Sequence, residues 1–468
     1  MLTHFPRYFS TRAIICYFVT LALTSALYLS YVMPFQFIAF GIVFVCIFFV
    51  YSNKLTSDWR RFKPSKFVRK LFTTAVIIRV VYVVFVYFYY MEMTGKPFMF
   101  HYGDEGAYYG CAVVLDEEGF EVFRDYMKTW FALSDSGYCW WLAIECWILH
   151  TTSVLPPHIV KGFIDAFSCV LVYNLAKRNF GEFTGRMAAI FCMLMPNMWY
   201  YCGLTLKETE MAFLVILFVE RGDKVLHSKH ITIKGLLLPA IIMLLMFTFR
   251  TALAGVLVAA MAAALILSSG RQLELWKKVI YTLLFAVWMF LTTGVEIVQE
   301  TQEIWSGRSQ NQSVGYEWRS NRKGGNTFAK YASATMFAPA IFTIPFSTMV
   351  AIPNQENQMM LHGGNFNKNV MSGFTIFALF LLLFSGDWRK HALPLAVMCG
   401  YLLVLVFSNF AHSERFHFPV LALELMFAAY GVSQVRNKHK RWMILWLVFV
   451  CIVNIGWAWI KLAGRGLA

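Results

Sequence analysis

The sequence predicts an all-α polytopic membrane protein with about thirteen transmembrane helices, accompanied by helices that lie in the interface or re-enter it. Three observations lead there. Hydrophobic residues make up 59% of the 468 residues and charged ones only 14%, with a mean hydropathy of +0.56. Apolar runs of roughly 17 to 20 residues, the length a helix needs to cross a hydrocarbon core, recur from Ala13 to Ile460. Lys and Arg gather in clusters between those runs. A chain this large with so little polar covering is not a water-soluble enzyme.

The 41 Lys and Arg against 26 Asp and Glu give a net charge of +15. In a soluble chain such a surplus raises the question of nucleic acid. Here it reads as topology and contact with anionic membrane lipids, with no nucleic-acid partner, because cytoplasmic loops retain Lys and Arg. The ten cysteines are scattered singly, without CxxC or Cys/His ligand spacing, so neither a zinc site nor a disulfide framework is indicated.

The first apolar run, near residues 13–30, follows Arg7 and Arg12 and is long for the apolar core of a signal peptide. It reads as an uncleaved signal-anchor helix with a cytoplasmic N-terminus. Runs near 34–52 and 71–91 flank the cluster Lys54, Arg60, Arg61, Lys63, Lys66, Arg69 and Lys70, which belongs inside. They bring the chain outside for a first large external loop, 92–137, which is rich in acids and holds only Lys96, Arg124 and Lys128 as bases. The stretch 138–155 carries Trp140, Trp141, Trp147 and His150 and ends at Pro156-Pro157. It is assigned to the interface, because crossing there would put Lys177 and Arg178 on the wrong side. Spans then follow near 158–176, 186–203, 209–221, 234–249, 251–269 and 279–295.

A second large external loop, 296–370, contains a polar stretch at 306–330 and an apolar run, 335–351, interrupted by Pro339 and Pro345. The run reads as re-entrant, and irregular backbone at membrane depth is tolerated only where protein buries it or it lines a polar cavity. Spans near 371–385, 392–408, 416–432 and 442–460 leave the C-terminus outside. The chain 1–468 is thus one transmembrane domain, placed in a bacterial inner (plasma) membrane.

This threading puts four charged clusters on the outer face: His101, Tyr102, Asp104 and Glu105 after the third span; Lys207 and Glu208 at the end of the fifth; Arg250 after the seventh; and His412, Glu414, Arg415 and His417 before the twelfth. Their clustering was not used to build the threading. Together they supply a carboxylate to take a proton from an acceptor hydroxyl and cations to stabilise a departing phosphate. Each also has a plainer reading: solvated loop carboxylates for Asp104 and Glu105, interfacial ion pairs or snorkelling anchors for Lys207-Glu208 and Glu414-Arg415, a helix anchor for Arg250. Arg79, inside the third span, is expected to face the bundle in a structural pair with Asp165.

The Asp104-Glu105 pair in the first external loop, Lys207-Glu208 after Met195-Pro196-Asn197, and the run Glu414-Arg415-Phe416-His417-Phe418-Pro419 resemble the GT-C superfamily of polytopic glycosyltransferases. That group contains the protein O-mannosyltransferases and the aminoarabinose transferase of lipid A. The resemblance implies an enzyme of the glycosyltransferase class (EC 2.4) that takes a sugar from a polyprenyl-phosphate carrier at the extracytoplasmic face. It implies Asp104 as base with Glu105 beside it, and Arg415 facing the donor phosphate. Lys207, Arg250 and His412 join the phosphate site by location, and Glu208, His101 and Tyr102 are further candidates. The acceptor is a glycan, a lipid or a protein. No cofactor is required, and a divalent cation is compatible. Two extra spans before the acidic loop, and the lack of a large soluble domain after the last span, depart from the family plan.

A polysaccharide polymerase of O-antigen type is the nearest alternative, favoured by Arg308, Arg319, Arg322 and Lys323 in the later loop. A lipid-linked-sugar flippase or other transporter is the second, disfavoured because the charges gather at one face and no repeat is visible. The threading has its own check. A reporter fused after Arg441 is expected to read cytoplasm and one after Ala468 the outside; the same side for both would break the last span.

Overall fold

The computed structural model describes residues 2–228, 233–267, 338–407 and 411–467, and no strand occurs among the described residues. The helices are α1 (Arg7–Leu27), α2 (Phe35–Asp58), α3 (Pro64–Thr94), α4 (Gly103–Trp130), α5 (Leu133–Leu149), α6 (Leu155–Phe180), α7 (Glu182–Leu194), α8 (Pro196–Cys202) and α9 (Glu208–Leu226). They continue with α10 (Ile233–Phe249), α11 (Thr251–Leu267), α12 (Glu356–Met360), α13 (His362–Ser385), α14 (Ala392–Phe407), α15 (Glu414–Gln434) and α16 (Lys440–Ala463).

Eight helices among the described residues, taken with their adjoining 3-10 turns, are long and apolar enough to cross a membrane: α1, α2, α3, α6, α13, α14, α15 and α16. They coincide with eight of the expected spans. The runs near 186–203, 209–221, 234–249 and 251–269 fall on α7 with α8, α9, α10 and α11, which are shorter or more polar. The expected span near 279–295, the polar stretch 306–330 and the four basic residues that favoured a polymerase lie outside the described residues.

Ion pairs and caps sort the helix ends into two sets. At one end Arg186 donates to the carbonyls of Trp59 (2.7 Å), Arg60 (2.9 Å) and Phe62 (2.7 Å), closing the turn between α2 and α3. At the same end Arg178 joins Glu220 (3.1 Å) and Asp223 (2.6 Å) of α9, and the His391 imidazole meets the Asn179 amide at 2.6 Å. The basic clusters around Lys63, Arg178 and Lys390 therefore share one end of the bundle. The opposite end holds the start of α4, the turn between α8 and α9, Arg250 and the start of α15.

Helix α5 is anchored at that second end on both sides. The Ser134 carbonyl near its start accepts from Lys207 at 2.9 Å, and only five residues separate Leu149 from α6, whose His158 contacts Thr205 at 3.1 Å. With both termini at the same end, a helix about 25 Å long lies across the bundle rather than along it.

Two polar devices hold the interior. Arg79 of α3 pairs with Asp165 of α6 at 2.5 Å, both side chains wholly buried, as expected from the sequence. The guanidinium also donates to the Met193 carbonyl at 3.4 Å. That carbonyl sits in the last turn of α7, where Pro196 and the extended Met195 break the helix and leave acceptors without intrahelical donors. The second device serves the buried, irregular segment 341–352. Asn369 donates to the carbonyls of Thr343 (2.5 Å) and Pro345 (2.8 Å), Lys368 to that of Ile344 (2.6 Å), and Asn454 accepts from the Ser347 amide (2.6 Å). Lys368 lies about 9 Å along α13 from its start, so this chain runs below the bundle's end and its polar groups need protein partners. Helices α2 and α13 cross closely enough that a Cβ on Gly41 would come within 2.1 Å of the His362 ring. Small residues let two backbones meet in this way.

Removing Arg79 leaves Asp165 as an unpaired buried acid, so Arg79→Ala is expected to cost about 3–5 kcal/mol of stability. The detergent-solubilised melting midpoint measures this. Replacing both partners, Arg79→Met with Asp165→Leu, is expected to recover most of the loss; a double variant as unstable as the single one would mean the pair does more than neutralise itself.

Candidate active site

The turn between α8 and α9, residues 203–207, bonds back to α8 through the Gly203 and Leu204 amides and is otherwise held by buried side chains from two helices, α4 and α6. The Glu105 carboxylate of α4 accepts from the Thr205 amide at 2.6 Å and from the Met99 amide at 2.7 Å. Lys161 of α6 donates to the carbonyls of Leu204 (2.8 Å) and Leu206 (2.5 Å) and lies 3.4 Å from Glu210. Glu105 thus faces the core, wholly buried, and ties two loops together rather than standing beside Asp104 as a second base. Burial pushes its carboxyl up to about 7, against the pull of the two amides.

The turn delivers Glu208 to the first position of α9, where a carboxylate is favoured by the helix dipole. Glu208 is wholly buried and pairs with the Nε of Arg415, whose Nη1 pairs with Asp104. Arg250 approaches Glu208 at 3.7 Å, donates to the Tyr401 hydroxyl at 3.0 Å and lies over the Phe416 ring at 4.5 Å. Four of the sequence-predicted residues therefore form one chain of alternating charge. It runs from Asp104, whose side chain is 57% exposed, through Arg415 at 22%, to Glu208 at 0%.

Lys207 is not on that chain. It pairs with Asp135 of α5 and donates to the carbonyls of Ser134 (2.9 Å) and Phe249 (2.6 Å). Burial and the nearby Arg250 charge hold its ammonium below the usual lysine range despite the pull of Asp135. Burial works to raise the Asp135 carboxyl, but the Lys207 charge and the Tyr108 hydroxyl outweigh it and the net direction is down. His101 faces Glu356 of α12 at 3.1 Å, and Tyr102 accepts from Lys96 at 3.0 Å. His412 lies in the turn that leads into α15.

Asp135, His158, Lys161 and Tyr401 complete the surroundings and were not singled out from the sequence. Lys161 and His158 had a signal, being polar residues at the start of an otherwise apolar run. Asp135 had none beyond its share of the loop's acidity. Among the described residues no group of three or more His, Cys, Asp or Glu side chains is gathered to hold a metal ion.

A sequence model of the Alg9-like mannosyltransferase family matches residues 357–462, a stretch that includes Arg415 but not Asp104, Glu208 or Arg250. That family is a GT-C family, so the superfamily resemblance read from the motifs is borne out. No curated protein matches the chain. Solved structures of the Archaeoglobus fulgidus oligosaccharyltransferase are similar in outline. Its complex with Zn and sulfate is 12% identical, with a TM-score of 0.44 over 84% of this chain and 53% of that one. Its complex with an inhibitory peptide and a dolichol-phosphate is 11% identical, with a TM-score of 0.42 over 85% and 56%. This chain thus spans about half the length of those structures.

The position of Glu105 fixes a pH dependence. Its folded-state value near 7 lies above the ordinary 4.5, so the folded protein binds the extra proton. Stability from this group is complete below about 4.5 and is lost as pH rises to about 7. In Glu105→Gln the melting midpoint is expected to lose that slope; an unchanged slope would assign it to another group.

Proposed function

We propose that this chain is a GT-C type glycosyltransferase that moves a sugar from a polyprenyl-phosphate donor to an acceptor hydroxyl at the extracytoplasmic face. The observation that carries the reading is the Arg415 guanidinium shared between Asp104 of the first loop and Glu208 of α9. A guanidinium is the side chain best shaped to grip phosphate oxygens, and Asp104 beside it is the most exposed carboxylate of the chain of charges. Donor phosphate competes with Asp104 for Arg415. Its arrival frees the Asp104 carboxylate as the general base, while Glu208 keeps the guanidinium in place.

In the transfer step the acceptor O–H gives its proton to Asp104. The oxygen bonds the anomeric carbon as the bond from that carbon to the phosphate oxygen breaks. The electron pair leaves with the polyprenyl phosphate, whose growing negative charge Arg415 stabilises, with Arg250 balancing the Glu208 carboxylate behind it. Lys207 holds the wall built by α5 through Asp135, and α5 lies at the membrane interface. The N-terminus is cytoplasmic and the membrane is a bacterial inner membrane. The family match and the alignment of charges at one end of the bundle support this reading over transport.

Purified full-length chain in nanodiscs, given polyprenyl-monophosphate sugars and, separately, pyrophosphate-linked oligosaccharides, tests it. Transfer is expected from the monophosphate donors and to fall by about 10²–10⁴ in Asp104→Asn, with folding and donor binding retained. Near-normal turnover in that variant removes Asp104 from the chemistry. Transfer from the pyrophosphate donors alone makes the chain a polymerase instead.

A further inference from the structure

A groove of about 490 Å³ opens at the Asp104 end of the bundle, between the start of α2, the end of α3, the loop before α4, and α12. It is within the size range of small-molecule sites. We infer that this groove binds a neutral sugar ring, and, resting on the transferase reading above, that the acceptor is a carbohydrate.

The lining has the two surfaces such a ring needs. Phe37, Phe100 and Tyr102 offer aromatic carbon for the C–H face of a pyranose. Gln36, His101 and Glu356 offer planar polar groups that can meet neighbouring hydroxyls as donors and acceptors. Among the described residues the ionisable pair in the lining, His101 with Glu356, is internally matched at 3.1 Å, and no Lys or Arg lines the groove. A phosphate finds no cation among those lining residues, and Lys96 is bonded to the Tyr102 hydroxyl at 3.0 Å. An isoprenoid tail would cover three polar side chains without replacing their hydrogen bonds, which is unfavourable.

The wall of the groove formed by the loop before α4 is pinned from α12. His101 has a positive φ of 56°, an uncommon conformation for a residue with a side chain. Its loop is fixed from α12, where Asn357 donates to the Phe100 carbonyl at 2.6 Å and Glu356 meets the His101 ring. His101 and Tyr102 then lead directly into the first turn of α4, where Asp104 stands. A ring held against them lies against the segment that carries that carboxylate, two residues before it in sequence. Beside the groove Val32 (42%), Phe35 (83%) and Met93 (42%) are exposed, an apolar rim suited to a sugar carried on a lipid.

Saturation-transfer NMR on the full-length chain in nanodiscs tests this directly, with methyl glycosides of mannose, glucose and galactose as free probes and the matching octyl glycosides as lipid-borne ones. At least one sugar is expected to bind, to bind about tenfold more weakly in Glu356→Ala, and to be lost in Gln36→Trp, which fills the groove. A stronger signal from the octyl forms assigns the sugar to a lipid carrier, and equal signals to a free glycan. Asp104→Asn is expected to bind the probes as the parent does, so failure of the transfer chemistry and failure of the groove are read separately. The inference is overturned if no glycoside binds, if Gln36→Trp with an unchanged melting midpoint keeps the signal, or if only a Ser/Thr hexapeptide or farnesyl phosphate binds.

Discussion

A guanidinium partly withdrawn from water must keep its partners, and Arg415 finds them on two remote parts of the chain. Asp104 comes from the start of α4 and Glu208 from the start of α9, and the one cation fixes where both stand relative to α15. Glu208 in turn is wholly buried and would be costly without Arg415 and Arg250. The arrangement therefore holds together only as a unit. Its exposed end is the Asp104 carboxylate, the one that the proposed donor phosphate would displace.

The same requirement for partners explains the two stretches of irregular backbone. Residues 203–207 and 341–352 leave the regular helical ladder, and each is stitched by buried polar side chains from neighbouring helices. In both cases a lysine supplies donors to free carbonyls and rests near a glutamate, Lys161 with Glu210 at 3.4 Å and Lys368 with Glu424 at 3.6 Å. Such lysines do two things at once. They replace water for the backbone and give a buried carboxylate its counter-charge. The loop before α4 is fixed by the complementary means, acids and amides accepting from or donating to its peptide groups.

Much of this is legible in the sequence. Hydropathy and Lys/Arg clusters located the helices and sorted their ends, because both signals come from the solvent and do not depend on packing. The convergence of Asp104, Glu208, Arg250 and Arg415 followed from that sorting. Their order along the charge chain did not, since chain direction says which end a residue occupies but not which neighbour its side chain meets. For that reason Lys207 and Glu208, adjacent in sequence, serve different partners, as do Asp104 and Glu105. Glu105 and Lys207 hold a loop and a helix, while Asp104 and Glu208 meet Arg415. The roles of Lys161, His158 and Asn369 were hidden for a related reason: their partners are backbone carbonyls or a hydroxyl far away in the chain, which sequence position does not pair with them.

The central claim is that Arg415 exchanges Asp104 for the donor phosphate. A structure of the full chain with a polyprenyl phosphate bound measures this most directly. The account predicts phosphate oxygens within hydrogen-bonding distance of the Arg415 guanidinium, Glu208 still paired with it, and the Asp104 carboxylate released toward the groove. A phosphate bound elsewhere, with the Asp104 to Arg415 pair intact, would contradict it.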